Sequence, residues 1–490
     1  MRLSDQNLPS AEAVQLPDYD RTQVAPGIVH LGVGNFHRAH QAVYIDDVLR
    51  ADPSWGILGV SLRSPATSQA LRPQNGLYTV TETSAQGRQT RVIGSLLDVM
   101  PYVREPDKTL RCLTSADTKI VSLTITEKAY ARDPVTGNLD PSNPDIAADL
   151  DSSGTAPRSA IGLLVHSLKH RRAAGVATFT VLPCDNLPSN GAALKRLLTQ
   201  FAAIHDDALA SWIEAEVAVP STMVDRIVPA TTDADRAAID DAIGVDDAWP
   251  VVTEPFRQWV VEDTFPSGRP DLAAAGAELV SDVHAHETMK LRLLNGAHST
   301  LAYLGLLLGH ETVAEAMGDP DLRTLIQGMW SEEIAPTLTL GQSTSRDYAA
   351  ALTTRFDNPT LNHRLAQIAM DGSQKISQRL LGTITDRLHV GHPHRRLILA
   401  VAGWLAFLHG RLAQLEASDA PAAVKDPLAA TLHRMAAGTS PQQFVEAICA
   451  ISDILGTPAI DATFRKTLQA MTADLAQGNI RAAIQKANAL

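Results

Sequence analysis

The sequence predicts an α/β protein in which an amino-terminal, doubly wound sheet is followed by a mostly α-helical carboxyl-terminal domain. In the first half, short β-rich runs alternate with helical patterns, which is typical of parallel strands joined by crossover helices. After about residue 280, the apolar residues follow helical spacing with few β-branched runs between them. Because 490 residues are too many for one ordinary hydrophobic core, we expect two domains, residues 1–283 and 284–490.

Each predicted element rests on a local pattern of apolar residues. Four short runs bounded by turn residues are predicted to be parallel strands: 27–32, 55–62, 119–126 and 176–182. Helical spacing predicts two of the crossover helices, at about 38–50 and 160–173. Two runs that are close in sequence predict an antiparallel excursion, 77–83 and 91–96. In the second half, the predicted helices are 289–308, 324–334, 397–412 and 441–455.

The overall charge argues against two classes of partner. The chain has 42 Lys and Arg residues against 54 Asp and Glu, a net charge of -12, which disfavours a broad nucleic-acid footprint or binding to an acidic membrane surface. The three cysteines lie far apart and predict neither a disulfide framework nor a paired-thiolate zinc site. The amino-terminal residues contain no apolar signal core, and the longest apolar run, 397–408, is too short to span a bilayer. We therefore expect a cytoplasmic protein whose partners are small molecules.

A glycine turn follows the first predicted strand. Gly32-Val33-Gly34 precedes the first helix, the position at which a Rossmann-type dinucleotide-binding fold turns beneath a pyrophosphate. The third glycine of the usual fingerprint is absent, because His37 stands in its place. The turn predicts a nucleotide-binding site, with an ordinary tight turn as the alternative. Arg38 could donate to a phosphate or belong to a solvated helix start, and Arg63 could meet a 2′-phosphate, so the residues leave NAD and NADP open.

A lysine lies on an otherwise apolar helix in the second half. In a uniform α-helix, Glu287, Lys290 and His298 would fall within about 80° of one another, with Asn295 roughly 60° further round. Desolvation lowers the pKa of a lysine, so a neutral Lys290 amine could take a proton from an alcohol as hydride leaves for a nicotinamide. Alternatively, Lys290 reaches solvent at the helix start and His298 is an ordinary core histidine.

Polar residues follow two of the predicted parallel strands. Asn186 comes after the strand that ends at residue 182, and Glu127 and Lys128 come after the strand that ends at residue 126. In an open α/β sheet, ligands bind outside the carboxyl ends of the strands. The three residues are therefore candidates for ligand contact, although each could equally be an ordinary loop residue.

Seven motifs, in the same order, resemble the polyol-specific long-chain dehydrogenase family. They are GVGNFHRAHQ (32–41), SLTITEKAY (122–130), CDNLPSNG (184–191), MVDRIVPAT (223–231), EPFRQWVVED (254–263), KLRLLNGAH (290–298) and DGSQK (371–375). The resemblance spans nearly the whole chain. It implies a Rossmann domain, a helical carboxyl-terminal domain with the catalytic and substrate-binding residues, an NAD cofactor and catalysis without a metal.

The resemblance also implies residue roles. Lys290 corresponds to the general acid/base of a K-x4-N-x2-H signature that continues with Asn295 and His298. Asn186 is implied to hold the substrate alkoxide together with Asn295, and Glu287 to lie on a proton path to solvent. Residues implied to line the substrate pocket are Asp225 and Lys375. Those expected to bind the cofactor are Gly32, Gly34, Asn35, Phe36, Arg38 and Glu127.

Two departures within the family bear on the substrate. Mannitol dehydrogenases typically read TEGGY where this chain reads TEKAY at 126–130, and they carry an arginine where this chain has Gln367. An added cation, Lys128, suits a sugar-acid carboxylate better than a neutral polyol, unless it merely pairs with Glu127 or faces solvent. Arg379 is a further candidate cation. We expect reversible oxidation of D-mannonate to D-fructuronate, with mannitol or a related polyol as the alternative substrate.

Two other classes of protein are alternatives to a dehydrogenase. His284-Ala285-His286 has the HxH spacing of some metal hydrolases, with His298 on the same segment, but no further ligands follow at suitable spacing. A catalytically silent sugar-binding protein could keep the same fold, although the intact signature from Lys290 to His298 argues against it. The sequence predicts no particular oligomeric state.

Overall fold

The computed structural model describes residues 1–10, 12, 14–133, 136–151, 156–416, 419–456 and 461–489. The chain forms two compact units, Met1–His284 and Ala285–Leu490. In the described parts of the chain, every strand lies in the first unit, and the second unit is helical.

The amino-terminal unit is built on a five-stranded parallel sheet with the order β5-β2-β1-β6-β7. Two small three-stranded sheets accompany it, with the orders β11-β10-β8 and β4-β3-β9. The strands are β1 (Pro26–Leu31), β2 (Gly56–Ser61), β3 (Tyr78–Ser84), β4 (Gly87–Ile93), β5 (Leu96–Pro101), β6 (Ile120–Leu123), β7 (Thr180–Pro183), β8 (Thr222–Asp225), β9 (Val251–Thr253), β10 (Gln258–Glu262) and β11 (Glu278–Val280).

Helices connect these strands in chain order. The α-helices are α1 (Asn35–Ala39), α2 (Gln41–Val48), α3 (Ala66–Leu71), α4 (Pro106–Thr114), α5 (Pro144–Asp151), α6 (Ala160–Ala174), α7 (Asn190–Ala203), α8 (Asp207–Glu216) and α9 (Asp233–Ile243). Short 3-10 turns lie at Arg21–Gln23, Pro53–Trp55, Arg72–Gln74 and Glu127–Tyr130. Helix α6 shows why the boundaries fall where they do: the Ser159 side chain accepts the Gly162 amide at its start, and Gly175 ends it in the left-handed conformation.

Alternate residues of the central strands enter two different apolar clusters. Val29 and Leu31 of β1 and Val121 of β6 join a cluster with α6 and α7, whereas Ile28 and Ile120 join another with α2. Because successive side chains of a strand point to opposite faces, helices cover both faces of the sheet. The predicted doubly wound α/β fold is confirmed.

Several strand boundaries differ from the sequence prediction. The strands predicted at 119–126 and 176–182 are shorter, β6 (Ile120–Leu123) and β7 (Thr180–Pro183), and the antiparallel excursion ends before residue 96. The antiparallel excursion exists as the β3–β4 hairpin, but β4 ends at Ile93, and Leu96 begins β5 of the parallel sheet. The assignment of residue 96 to the excursion was therefore wrong. The chain changes sheet at Gly94, whose amide donates to Asp46 of α2 at 2.8 Å, and a contact of that range leaves no local pattern in the sequence.

The carboxyl-terminal helices begin at residue 284. The α-helices are α10 (His284–Lys290), α11 (Gly296–Leu308), α12 (Val313–Gly318), α13 (Pro320–Gly328), α14 (Gln342–Phe356), α15 (Leu365–Ile368), α16 (Gly372–Ile376), α17 (Gly382–His389), α18 (Arg395–Leu412), α19 (Ala420–Ala423), α20 (Ala429–Ala436), α21 (Pro441–Cys449), α22 (Ser452–Leu455), α23 (Ala462–Ala476) and α24 (Ile480–Asn488). Short 3-10 turns lie at Ala335–Thr337 and Pro359–Leu361, and π-helical segments at Leu291–Asn295, Met329–Ile334 and Ser377–Leu381. None of the helices in the described part of the chain combines the length and apolar composition that a membrane crossing requires.

The predicted continuous α-helix at 289–308 is interrupted. One turn of π-helix, Leu291–Asn295, separates α10 from α11, and the Gly296 amide bonds the carbonyl five residues back, at Leu291. The uniform angles assumed from the sequence are therefore wrong beyond Lys290, because a π turn holds one more residue than an α turn. Residues Met329–Ile334 of the predicted helix 324–334 are also π-helical.

Candidate active site

The glycine turn lies at the carboxyl end of β1, beside β6. Gly32 has a φ of +97°, and a Cβ there would lie 2.1 Å from the Thr124 carbonyl oxygen, so the close crossing of the two chain segments requires glycine. The Gly34 amide donates to the Gly32 carbonyl at 2.8 Å. A Cβ on Gly34 would meet nothing within 4 Å among the described residues except that carbonyl, at 4.0 Å. The turn therefore leaves open space directly before α1.

Two stacked histidines lie beneath the turn. The rings of His30 and His37 are 3.4 Å apart and nearly parallel. His30 Nε2 hydrogen-bonds to the Gly32 carbonyl at 3.1 Å and to Thr124 Oγ1 at 3.0 Å, and its Nδ1 meets Ser122 Oγ at 2.8 Å. Burial lowers the pKa of His30 to about 3 and that of His37 well below its usual value. The neutral pair thus fills the space where a third glycine would bring helix and strand together.

Arg38 is buried, in contrast to the solvated helix start considered from the sequence. Its side chain donates to the Trp249 carbonyl and to Asn35 Oδ1, the latter at 2.6 Å, and faces the Tyr78 ring. Burial lowers the pKa of Arg38 to about 10. The guanidinium is therefore engaged inside the unit, which favours a structural role over the phosphate contact expected for it. Phe36 stacks on His40 with ring centroids 5.0 Å apart.

The loops after β6 and β7 are joined by Asp185, to which no local pattern in the sequence assigns a role. Asp185 accepts hydrogen bonds from the amides of Ile125 (3.0 Å) and Thr126 (2.9 Å) and from the Tyr130 hydroxyl (2.7 Å). Burial raises the pKa of Asp185. Thr126 has a φ of +72°, which is strained for a β-branched residue. Asp185 thus fixes the loop that carries Glu127 and Lys128 against its own loop.

The predicted ligand residues of these loops are accessible. Glu127 and Lys128 are exposed on the 3-10 turn after β6, and Asn186 is exposed directly after Asp185. All three follow parallel strands, so they lie at the same edge of the sheet as the glycine turn. Arg63, in contrast, is 81% exposed and pairs with Asp145 at 3.2 Å.

Asp225 lies at the end of β8 and is buried. The next residue, Arg226, is also buried and was missed in the sequence. It donates to the carbonyls of Glu254 and Ala39 and pairs with the Glu82 carboxylate. A buried guanidinium with this many partners fixes the backbone that carries Asp225.

Lys290, Asn295 and Glu287 lie around the π turn of the second unit. Lys290 is 8% exposed and ends α10, Glu287 lies one helical turn before it, and Asn295 ends the π segment. Glu287 and Asn295 are half-buried. A residue that closes an i→i+5 hydrogen-bonded turn stands over residue i, as residue i+4 does in an α-helix. The π turn therefore brings Asn295 to the face that carries Lys290.

His298 follows in α11 and is surrounded by cationic and aromatic residues. Its ring stacks on Phe356 at 4.7 Å and meets the His363 ring edge-on at 4.9 Å. Burial lowers the pKa of His298 well below its usual value, with further lowering by His363 and by the cations of Arg379 and Arg355. His298 is therefore a neutral imidazole at neutral pH. No local pattern in the sequence points to His363, Phe356 or Arg355, which approach through tertiary packing.

The remaining residues predicted to contact the substrate lie on three separate helical elements of the second unit. The half-buried Lys375 donates from Nζ to the Met370 carbonyl at 2.6 Å. Arg379 donates to Ser299 Oγ at 3.1 Å. Gln367 is exposed on α15.

The HxH pair lies at the start of α10, where His284 is exposed and His286 is half-buried. Among the described residues, no group of three or more His, Cys, Asp or Glu side chains is arranged to hold a metal ion.

The sheet order and the glycine turn define a Rossmann-type protein. Residues 26–274 match the family described as mannitol dehydrogenase Rossmann domain, and residues 282–472 match the mannitol dehydrogenase C-terminal domain. The chain therefore belongs to the mannitol dehydrogenase family and is an oxidoreductase that acts on CH–OH groups. The resemblance seen in the seven motifs is confirmed.

Individual relatives differ in the substrate that they are named for. The chain is 43% identical over 456 residues to D-mannonate oxidoreductase of Escherichia coli (strain K12), covering 92% of each chain. It is 41% identical over 419 residues to mannitol 2-dehydrogenase of Pyrenophora tritici-repentis (strain Pt-1C-BFP), covering 84% of this chain and 74% of that one. A solved structure of Pseudomonas fluorescens mannitol 2-dehydrogenase with NAD and D-mannitol matches with a TM-score of 0.88 at 35% identity, covering 99% of both chains.

Proposed function

We propose that the protein is an NAD-dependent dehydrogenase that interconverts D-mannonate and D-fructuronate. In the oxidation, one carbon of the substrate loses a hydride and its hydroxyl group loses a proton, so that a secondary alcohol becomes a ketone. The reduction is the same reaction in reverse. NAD supplies the hydride acceptor when it is bound.

The glycine turn fits a dinucleotide. Gly34 is exposed, and the space that its side chain would fill is open; its amide precedes a helix at the point where the sheet order reverses between β1 and β6. Gly32, Gly34 and the start of α1 would hold the pyrophosphate, with Glu127 at the neighbouring strand end. Asn35 and Arg38 would act by fixing the first turn of α1. The preference for NAD follows the family resemblance and the NAD bound in the Pseudomonas enzyme.

The observation that carries the proposed reaction is the burial of Lys290 directly before the π turn. Removal from water disfavours the charged amine, so a neutral Lys290 would accept the hydroxyl proton of the substrate. Glu287, on the same helix, would pass that proton towards solvent. Asn295 and Asn186 would donate to the substrate oxygen, and the neutral His298 would orient the reacting hydroxyl.

The choice of a sugar acid rests on cations and on similarity. Lys128, exposed after β6, and Arg379, beside α11, are candidates to pair with a carboxylate. The 43% identity to the D-mannonate oxidoreductase of E. coli over 92% of both chains supports the same choice. Pocket-lining roles remain proposed for Asp225, Lys375 and Gln367.

Oxidation of mannitol or a related polyol is the second candidate. It is favoured by the 41% identity to a fungal mannitol 2-dehydrogenase and by the whole-chain match to the Pseudomonas enzyme with D-mannitol. The two substrates differ in charge, so the binding of a carboxylate separates them.

A substrate panel followed at the NADH absorbance tests the proposal. We expect kcat/KM for D-mannonate and D-fructuronate to exceed that for mannitol and fructose, and a strong preference for the uncharged pair would reject the proposed substrate. Lys290→Met should abolish turnover while NADH still binds. Lys128→Gly should reduce kcat/KM for the hexonate more than for a polyol, and Lys128→Arg, which keeps the charge, should restore it. Equal effects of Lys128→Gly on both substrates would remove this lysine from carboxylate recognition.

A further inference from the structure

The π turn between Lys290 and Asn295 determines whether these two side chains lie on the same face of the helix. Five residues at α-helical geometry rotate by about 140° beyond a full turn, so in a regular helix the two would point in different directions. In the observed turn, the Gly296 amide is shared between the carbonyls of Leu291 and Leu293. The relation of Lys290 to Asn295 therefore depends on a helical form that is rare and that occurs frequently at functional sites.

A tryptophan from another helix contacts this turn. Trp330 donates its indole Nε1–H to the Leu293 carbonyl at 2.9 Å, and the bond is buried. Trp330 itself belongs to the second π segment, Met329–Ile334, and is 3% exposed. The bond thus joins the two π segments at the Leu293 carbonyl, which also accepts from the Gly296 amide.

The same indole also packs towards the histidine of the signature. The Trp330 ring is 6.0 Å from the ring of Phe356, and the Phe356 ring stacks on His298 at 4.7 Å. One side chain therefore contacts the turn between Lys290 and Asn295 by a hydrogen bond and reaches His298 through one aromatic neighbour. Neither contact places Trp330 on a reacting atom.

We propose that Trp330 is a positioning residue that holds the π turn, and with it the relative placement of Lys290, Asn295 and His298. This inference rests on the proposed function for its catalytic consequence. Loss of the indole donor leaves a buried carbonyl short of a partner, and the turn then relaxes towards α-helical bonding. Small displacements of reacting groups have large effects on rate.

Trp330→Phe removes the donor and keeps an aromatic ring. Trp404→Phe is the matched control, because Trp404 is fully buried in the same unit and its Nε1 has no hydrogen-bond acceptor among the described residues. If either phenylalanine variant fails to fold, benzothienylalanine at the same position replaces only the N–H with sulfur and keeps the shape of the indole. All variants are compared as the full-length protein by kcat, KM, NADH affinity, the pH profile of kcat, and hydrogen exchange of the peptide covering 291–298.

We expect Trp330→Phe to lower kcat by about 10- to 100-fold, to shift the pH profile of kcat, and to accelerate exchange at 291–298. KM and NADH affinity should change by less than about twofold, and Trp404→Phe should leave all of these readouts near wild type. A lower melting temperature with unchanged kcat, pH profile and exchange would mean that Trp330 is only a packing residue, and would overturn the inference.

The exchange measurement separates this inference from the proposed function. If Lys290→Met stayed active, the lysine mechanism would fail by itself. The inference about Trp330 would then depend on hydrogen exchange at 291–298. Faster exchange in Trp330→Phe but not in Trp404→Phe would support it, and faster exchange in both variants or in neither would overturn it.

Discussion

Replacing Gly34 with alanine is expected to weaken dinucleotide binding without unfolding the protein. The φ of Gly34 is -89°, which any L-residue adopts, and the new Cβ would meet only the Gly32 carbonyl, at 4.0 Å, among the described residues. The fold therefore accommodates the methyl group. A Gly→Ala change at a compatible φ commonly stabilises a protein by about 0.4–1 kcal/mol, so the melting temperature should stay equal or rise slightly.

The effect on the ligand has the opposite sign. If a pyrophosphate approaches the backbone of the turn, the methyl group occupies the space before α1 and disrupts at least one charge-assisted hydrogen bond. Such bonds contribute about 1.5–3 kcal/mol, and each 1.4 kcal/mol is a factor of ten in Kd. We therefore expect NADH to bind about 10- to 100-fold more weakly.

Fluorescence titration with NADH, beside a thermal unfolding curve of the same sample, measures both effects. Gly410→Ala is the matched control, because Gly410 lies within α18 and a Cβ there meets nothing within 4 Å among the described residues. It should leave the Kd of NADH unchanged. An unchanged Kd in Gly34→Ala would refute the assignment of the glycine turn as the cofactor site, and weaker binding together with a lower melting temperature would refute the steric reasoning.

Two further predictions concern stability and the loop after β6. Burial lowers the pKa of His30 and His40 to about 3 and that of His363 to about 4. The contribution of these neutral histidines to the free energy of unfolding is therefore complete above pH ~6.5, and it is lost as the pH falls towards 4 and 3, at up to roughly 1.4 kcal/mol per pH unit for each histidine. Unfolding free energies that stay constant from pH 7 to 5 would contradict this prediction. Asp185→Asn should lower the free energy of unfolding by about 1–3 kcal/mol and raise the KM of the substrate. Tyr130→Phe removes one of the three donors to Asp185 and should have a smaller effect on both quantities. Equal effects of the two variants on KM would contradict the role given to the backbone amides of Ile125 and Thr126.

The glycine turn illustrates how far local sequence carries. The pattern of strand, GxG and helix predicted the turn. The structure shows why residue 32 is glycine: the backbone carbonyl of Thr124, just after β6, leaves no space for a side chain. The departure at His37 was visible in the sequence, but its compensation was not. The His30 ring that stacks on it is seven residues away, and its hydrogen-bond partners Ser122 and Thr124 are more than ninety residues away.

The periodicity of apolar residues predicts a helix but not its detailed geometry. The sequence placed Lys290, Asn295 and His298 on one helical stretch, which was right, but it assumed one α-helical angle for every residue. The π turn differs from an α turn by one residue per hydrogen-bonded ring, and apolar spacing does not report such a difference over five residues.

The sequence by itself determined the doubly wound sheet, the helical second part, the glycine turn and the family, because strand and helix patterns, turn glycines and motif order are all local properties of the chain. Only the tertiary structure decided which polar side chains are buried and what they bind. Arg38 meets the carbonyl of Trp249, 211 residues along the chain, and Leu293 meets the indole of Trp330, 37 residues along. Burial and hydrogen bonding between distant residues arise from packing, and packing is a property of the folded chain as a whole.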